Sequence, residues 1–165
     1  MHPRSDPHRL ERFRQAQASP AAGFDAALLE IRAGGKRGHW IWYVFPQLAG
    51  LGVSPMSREY AIHDAAEADA YLRDALLGPR FAIITEAVLE RVRLGATLVE
   101  LMGSEIDTRK LVSSLTLFRT VARQSVRAGD DVATRIAAAA DELLRMAEQA
   151  GYAPCAVTVA ALERS

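Results

Sequence analysis

Apolar residues recur along this chain at the three-to-four-residue spacing of helices that bury one face, and nothing in it offers a convincing pair of strands. Leu10, Phe13 and the pair Ala16-Gln17 form the first stripe, with Asp6 as N-cap and Pro7 at the first helical position, so this helix is expected to reach about Ala18. Phe24, Ala27, Leu28 and Ile31 form a second stripe, stopped by Gly34-Gly35. Residues 39–45 are a short apolar run closed by Pro46, which reads as a short helix or a buried irregular segment. Gln47 to Ser57 reads as a loop, Asp64 caps a helix over 65–73, and Gly78-Pro79 opens a longer one through Phe81, Ile84, Val88 and Leu89 that Gly95 ends. A single turn from Thr97 to Gly103 leads to a helix over about 105–123 capped by Ser104. Asp130 or Asp131 then caps a last long helix to about Gln149, closed by Gly151. The pattern predicts an all-α fold, a compact single-domain bundle of about six to eight helices with one irregular aromatic segment. Its core spans 5–150, and 151–165 form a C-terminal extension.

The 105–123 helix departs from clean amphipathicity. Projected at about 100° per residue, it centres Leu111, Leu115, Phe118 and Ala122 on the apolar face and sets Arg109, Ser113, Thr116, Thr120 and Arg123 opposite. Asp107, Lys110 and Ser114, at i, i+3 and i+7, fall within the apolar arc. A carboxylate, an ammonium and a hydroxyl in one buried row must satisfy one another or face a polar cavity, because an unpaired buried charge costs several kcal/mol. A self-satisfied Asp107–Lys110 pair is one expectation and a ligand site the other.

The second departure is Lys36-Arg37-Gly38-His39-Trp40-Ile41-Trp42-Tyr43-Val44-Phe45-Pro46-Gln47, which carries both tryptophans of the chain. Rings crowded against titratable groups are how ligand pockets are often built. Asp107 and His39 are the candidate acid–base residues, and Lys36 and Arg37 the candidate anion holders. Trp40 and Trp42, with Tyr43, are the candidate stacking platform; Gln47, Tyr60, Lys110 and Ser114 complete the predicted ligand-binding set. The glycine-rich run Gly34-Gly35-Lys36-Arg37-Gly38 is not a P-loop, but its backbone N–H groups are candidates for cupping an anion. No metal site and no cofactor are expected: His2, His8, His39 and His63 lack ligand spacing, and there is no G-x-S-x-G elbow.

Composition narrows the classes. With 165 residues, half of them hydrophobic, the chain can bury a core unaided. Twenty basic residues balance twenty acidic ones, so no long-range field favours bulk nucleic acid or an anionic membrane. Eighteen of the basic residues are Arg, which draws attention to Lys36 and Lys110 as the two sites where a compact point charge has been kept. The single cysteine, Cys155, excludes an internal disulfide and fits a reducing cytoplasm. The terminus has no apolar leader, and no run approaches the ~18 residues of a membrane span.

The segments Leu10-Glu11-Arg12-Phe13, Lys36 to Gln47, Gly50-Leu51-Gly52, Ser57 to Ile62, Leu76 to Arg80 and Asp107 to Phe118 resemble an uncharacterised bacterial family, domain of unknown function eighteen-ten. The likeness spans residues 8 to about 145, with H-W-x-W-x-x-F-P-Q as its most specific part. Ile41 and Leu115 stand where methionine is expected, and the tail after Gly151 departs from the expected ending. The resemblance implies a single-domain all-α fold and no established activity. Members are sometimes labelled calpastatin-like, a label that suits disordered polar repeats rather than a capped, half-hydrophobic chain.

Together these features predict a cytoplasmic protein, expected to be a monomer, with a pocket between the His39-Trp40-Ile41-Trp42 segment and the 105–123 helix. Its expected ligand is small and anionic, phosphate-bearing or nucleotide-like, to be bound or hydrolysed. The rival is a protein–protein interaction module with no catalytic activity, in which the tryptophans are an exposed hot spot. A third reading makes both tryptophans core.

Overall fold

The computed structural model describes residues 5–126 and 129–165. Met1 to Arg4, and with them His2, lie outside the described residues. The chain is all-α, as the periodicity predicts, with helices α1 (Glu11–Gln17), α2 (Phe24–Ala33), α3 (Ile41–Val44), α4 (Pro55–Glu59), α5 (Ala65–Arg73), α6 (Leu77–Arg93), α7 (Leu98–Met102), α8 (Glu105–Val126), α9 (Asp131–Gln149) and α10 (Ala156–Glu163). The two beyond the expected set are α4, inside the predicted loop, and α10, in the predicted extension.

Capping accounts for most boundaries. Asp64, Thr97 and Asp130 each accept an N–H from the first turn of the helix they precede, and Thr97 forms a full capping box with Glu100. The first helix differs from expectation. Asp6 does cap, taking the N–H groups of Leu10 and Glu11 at 2.9 Å each, but Arg9 sits at φ +53° and breaks the turn, so α1 begins at Glu11 rather than Pro7. Gly78 and Pro79 stand in the first turn of α6, as expected, and Gly78 also serves close packing: a Cβ there would lie 2.0 Å from the Leu72 carbonyl oxygen.

Helix α8 is the hub, packing against α3, α5, α7, α9 and α10. Its residues from Leu111 to Phe118 are all buried, including Ser113 and Thr116 on the face predicted to be polar. The reason is α10, which covers that face: Thr116 Oγ1 donates to Val112 O (2.7 Å) and accepts the Cys155 N–H (3.2 Å). Small residues Ala133, Ala137 and Ala140 on α9 let it pack closely against α8 and α6. Through the centre runs a chain of rings, with Phe81 against Phe118 at 4.5 Å, Tyr71 against Phe118 at 5.1 Å and Phe45 against Phe81 at 5.7 Å.

Two further devices position the aromatic segment. Arg12, buried, spends its guanidinium on the carbonyls of His8, Arg9, Glu59 and Ala61 and on Glu67 (2.7 Å), tying α1 to the 59–67 turn. A parallel bridge between Leu48 and Ile62, with Ala49 N–H to Ile62 O at 2.8 Å and Ile62 N–H to Gln47 O at 3.0 Å, closes the 47–62 excursion into one unit.

Candidate functional site

The segment before α3 is held from both sides. Lys36 N–H donates to Leu101 O of α7 at 2.8 Å, and Glu30 of α2 accepts the Gly38 N–H at 2.8 Å and the Trp40 indole N–H. Trp40 is fully buried in the core cluster. It therefore offers no open face for stacking, and the exposed tryptophan pair required by an interaction hot spot is reduced to Trp42, half-buried at the surface. Glu30, which sequence reasoning passed over, anchors this arrangement; its only signal was a carboxylate closing α2 just ahead of the glycines.

The anion cup predicted for Gly34 to Gly38 is not formed. The N–H groups of Gly34 and Gly35 close α2 on Ile31 O and Glu30 O, and those of Lys36 and Gly38 are taken as described. Arg37 is exposed beside this turn.

The lysine side chain takes the charge inward. Lys36 Nζ lies 2.9 Å from Asp107 Oδ2 and 5.4 Å from the Trp40 ring centre, with the side chain only 8% exposed. Lys110 Nζ lies 3.7 Å from Asp107 Oδ1 and 5.0 Å from the Trp42 ring centre. One carboxylate thus bridges two ammonium groups, each backed by an indole face, an attraction worth about 0.5–2 kcal/mol apiece. The expected self-satisfied Asp107–Lys110 pair is a three-membered cluster whose short contact is to Lys36. Its formal charge is one positive unit in surplus, and that surplus sits at Lys110.

The indole that backs Lys110 carries an unspent donor. Trp42 Nε1 is buried without a hydrogen-bond partner, and so is Ser114 Oγ, one turn along α8 from Lys110. Beside the Trp42 indole, and not lined by Ser114, is a cleft of about 10 Å³ lined by Ile41, Trp42, Phe45, Gln47, Ser57, Tyr60 and Lys110. That is room for one water-sized group. Its wall is the 47–57 loop, folded so tightly that a Cβ on Gly52 would come within 2.5 Å of Ser57 Oγ. Ser54 Oγ caps α4 by accepting the Ser57 N–H at 3.1 Å and bonds Ser57 Oγ at 2.9 Å. Tyr60 stacks edge-on against Tyr43 at 5.1 Å, and burial raises its phenol above the ordinary value.

Of the predicted site residues, Trp42, Gln47, Tyr60 and Lys110 therefore meet at one cleft, with Asp107 and Lys36 linked to it through the charge cluster. His39 is exposed, and its ring makes no hydrogen bond or ion pair among the described residues. Ser57, read from the sequence as the end of a loop, is a cleft wall.

The model of a protein family of unknown function, DUF1810, matches residues 7–142. The chain belongs to this family. Its fold is similar to the crystal structure of the conserved hypothetical protein Rv1873 from Mycobacterium tuberculosis, with a TM-score of 0.75 and 39% sequence identity over 96% of this chain and 99% of that one. No curated protein matches the sequence. Among the described residues, no helix of this DUF1810 member is long and apolar enough to cross a membrane.

Proposed function

We propose that the protein binds a small phosphate-bearing ligand at the Trp42–Lys110 cleft, the anionic group taking the charge that Asp107 leaves uncompensated. The observation that supports this most is the stoichiometry of the cluster: two largely enclosed ammonium groups share one carboxylate, beside the buried Trp42 indole N–H with nothing to donate to. An anion offers what all three lack. Binding fits the geometry better than hydrolysis, since both Asp107 oxygens face lysines and His39 stands alone. Anything larger than water requires the 47–57 loop to withdraw, so a nucleotide-like ligand would bind by opening this wall. The free thiol of Cys155 is consistent with work in the cytoplasm.

The interaction-module reading draws on Val53, 82% exposed, and Met56 near the same loop. Two scattered side chains fall well short of the several hundred Å² that mark an interface.

The test is a thermal-shift and tryptophan-fluorescence titration of the full chain with inorganic phosphate, pyrophosphate and sugar phosphates at matched ionic strength. At a hundredfold excess over Kd the ligand adds about 2.7 kcal/mol. For a chain of this size that raises Tm by roughly 5–10 °C. Lys110→Met is expected to abolish both responses. A shift no larger than chloride gives, or one that survives in Lys110→Met, would overturn the proposal.

A further inference from the structure

The Trp42–Lys110 cleft carries more than an anion needs. Its donors are the buried Trp42 N–H and the Lys110 ammonium, joined by Ser57, whose Oγ accepts from Ser54 Oγ at 2.9 Å and keeps its own proton to give. Gln47 and Tyr60, on the same wall, add acceptors. Neither the Gln47 side-chain amide nor the Tyr60 hydroxyl makes a hydrogen bond among the described residues. Both residues are nevertheless held in place. The Gln47 main-chain carbonyl accepts the Ile62 N–H at 3.0 Å, and the Tyr60 ring packs against Tyr43 at 5.1 Å and Phe13 at 5.9 Å. Burial keeps the Tyr60 phenol protonated, so it can give one hydrogen bond and accept another, and the Gln47 amide likewise offers both.

A phosphate dianion accepts hydrogen bonds and gives none, so by itself it leaves the Gln47 carbonyl oxygen and the phenol oxygen unmatched. These two side chains call for a group that both donates and accepts. The positive surplus at Lys110 disfavours an ammonium group there, and the room already present, that of one water-sized group, matches a hydroxyl. We propose that the ligand is a phosphorylated polyol or sugar, one hydroxyl of which is bound by the Gln47 amide and the Tyr60 phenol while its phosphate meets Lys110 and the Trp42 N–H. This rests on the phosphate reading above and narrows its ligand class. Gln47 and Tyr60 set specificity rather than hold the anion: a site built to bond a hydroxyl rejects the analogue that lacks one, because its own polar groups are then left unpaired.

The test compares glycerol phosphate with propyl phosphate, the same kind of phosphate ester without hydroxyls, by calorimetric titration of the full chain at one pH and ionic strength. Glycerol phosphate is expected to bind about tenfold more tightly. Gln47→Leu, which leaves the main-chain bond to Ile62 in place, is expected to remove most of that preference, and Tyr60→Phe, which keeps the ring packing, to reduce it about threefold. Propyl phosphate is expected to bind both variants as it binds the unaltered chain. Equal affinity for the two esters, or a Gln47→Leu loss that falls equally on both, would overturn this inference and leave the phosphate reading standing. Binding of neither ester nor of inorganic phosphate would overturn both.

Discussion

At the scale of single residues, the two tryptophans, two positions apart in the chain, do opposite work. Trp40 has a carboxylate on its indole N–H and no solvent, whereas the Trp42 N–H is buried with no partner. Trp40→Phe is therefore expected to cost about 3 kcal/mol, from lost packing and a Glu30 oxygen left without its indole donor. Trp42→Phe is expected to cost less than about 1 kcal/mol while weakening phosphate binding by about 1.5–3 kcal/mol, the worth of a hydrogen bond to a charged group. Urea unfolding and fluorescence titration of both variants check this; equal stability losses would contradict the division. The sequence offered the pair as one platform, because spacing cannot tell which of two indoles a carboxylate ten residues upstream has claimed.

Among the elements, the junction of α1, α5 and α6 rests on Asp74. Its carboxylate takes the N–H groups of Leu76 and Leu77 at 3.0 Å each and an ion pair from Arg14. Burial raises its pKa, but Arg14 and these two N–H groups outweigh that and hold it below 3.8. A folded value below the unfolded one means the stabilisation is present above about pH 4 and is lost as pH falls through the folded pKa. Asp74→Asn is expected to cost about 2 kcal/mol at pH 7 and progressively less below pH 4, read from urea midpoints across pH. A difference independent of pH would contradict the assignment. Most helices were legible because their caps and stripes are local; α10 was not, since small and apolar residues are spread around all sides of Ala156–Glu163. Missing it also misplaced Ser113 and Thr116, whose burial depends on a partner distant in sequence.

For the whole molecule, close approach matters as much as hydrophobic content. The Leu72 carbonyl sits where a Gly78 side chain would begin, so Gly78→Ala is expected to lower stability by about 3 kcal/mol or more, measured by thermal unfolding. The fold class and the neighbourhood of the site were legible in the periodicity and in the crowding of rings and charges. The cluster's composition was not, because Lys36 reaches Asp107 across some seventy residues of chain and only the packing of α7 and α8 brings them together.

The central claim is that Asp107 holds back the positive charge of Lys110 rather than acting on a ligand itself. The most direct measurement is the pyrophosphate affinity of Asp107→Asn beside the unaltered chain, by fluorescence titration at fixed ionic strength. A unit charge a few ångströms from the anion is worth on the order of 1–4 kcal/mol, so removing the carboxylate is expected to tighten binding roughly tenfold or more. Lys36→Met, which leaves a neutral Asp107–Lys110 pair, is expected to weaken it by a similar factor. Binding that is lost or unchanged in a folded Asp107→Asn protein would contradict the account.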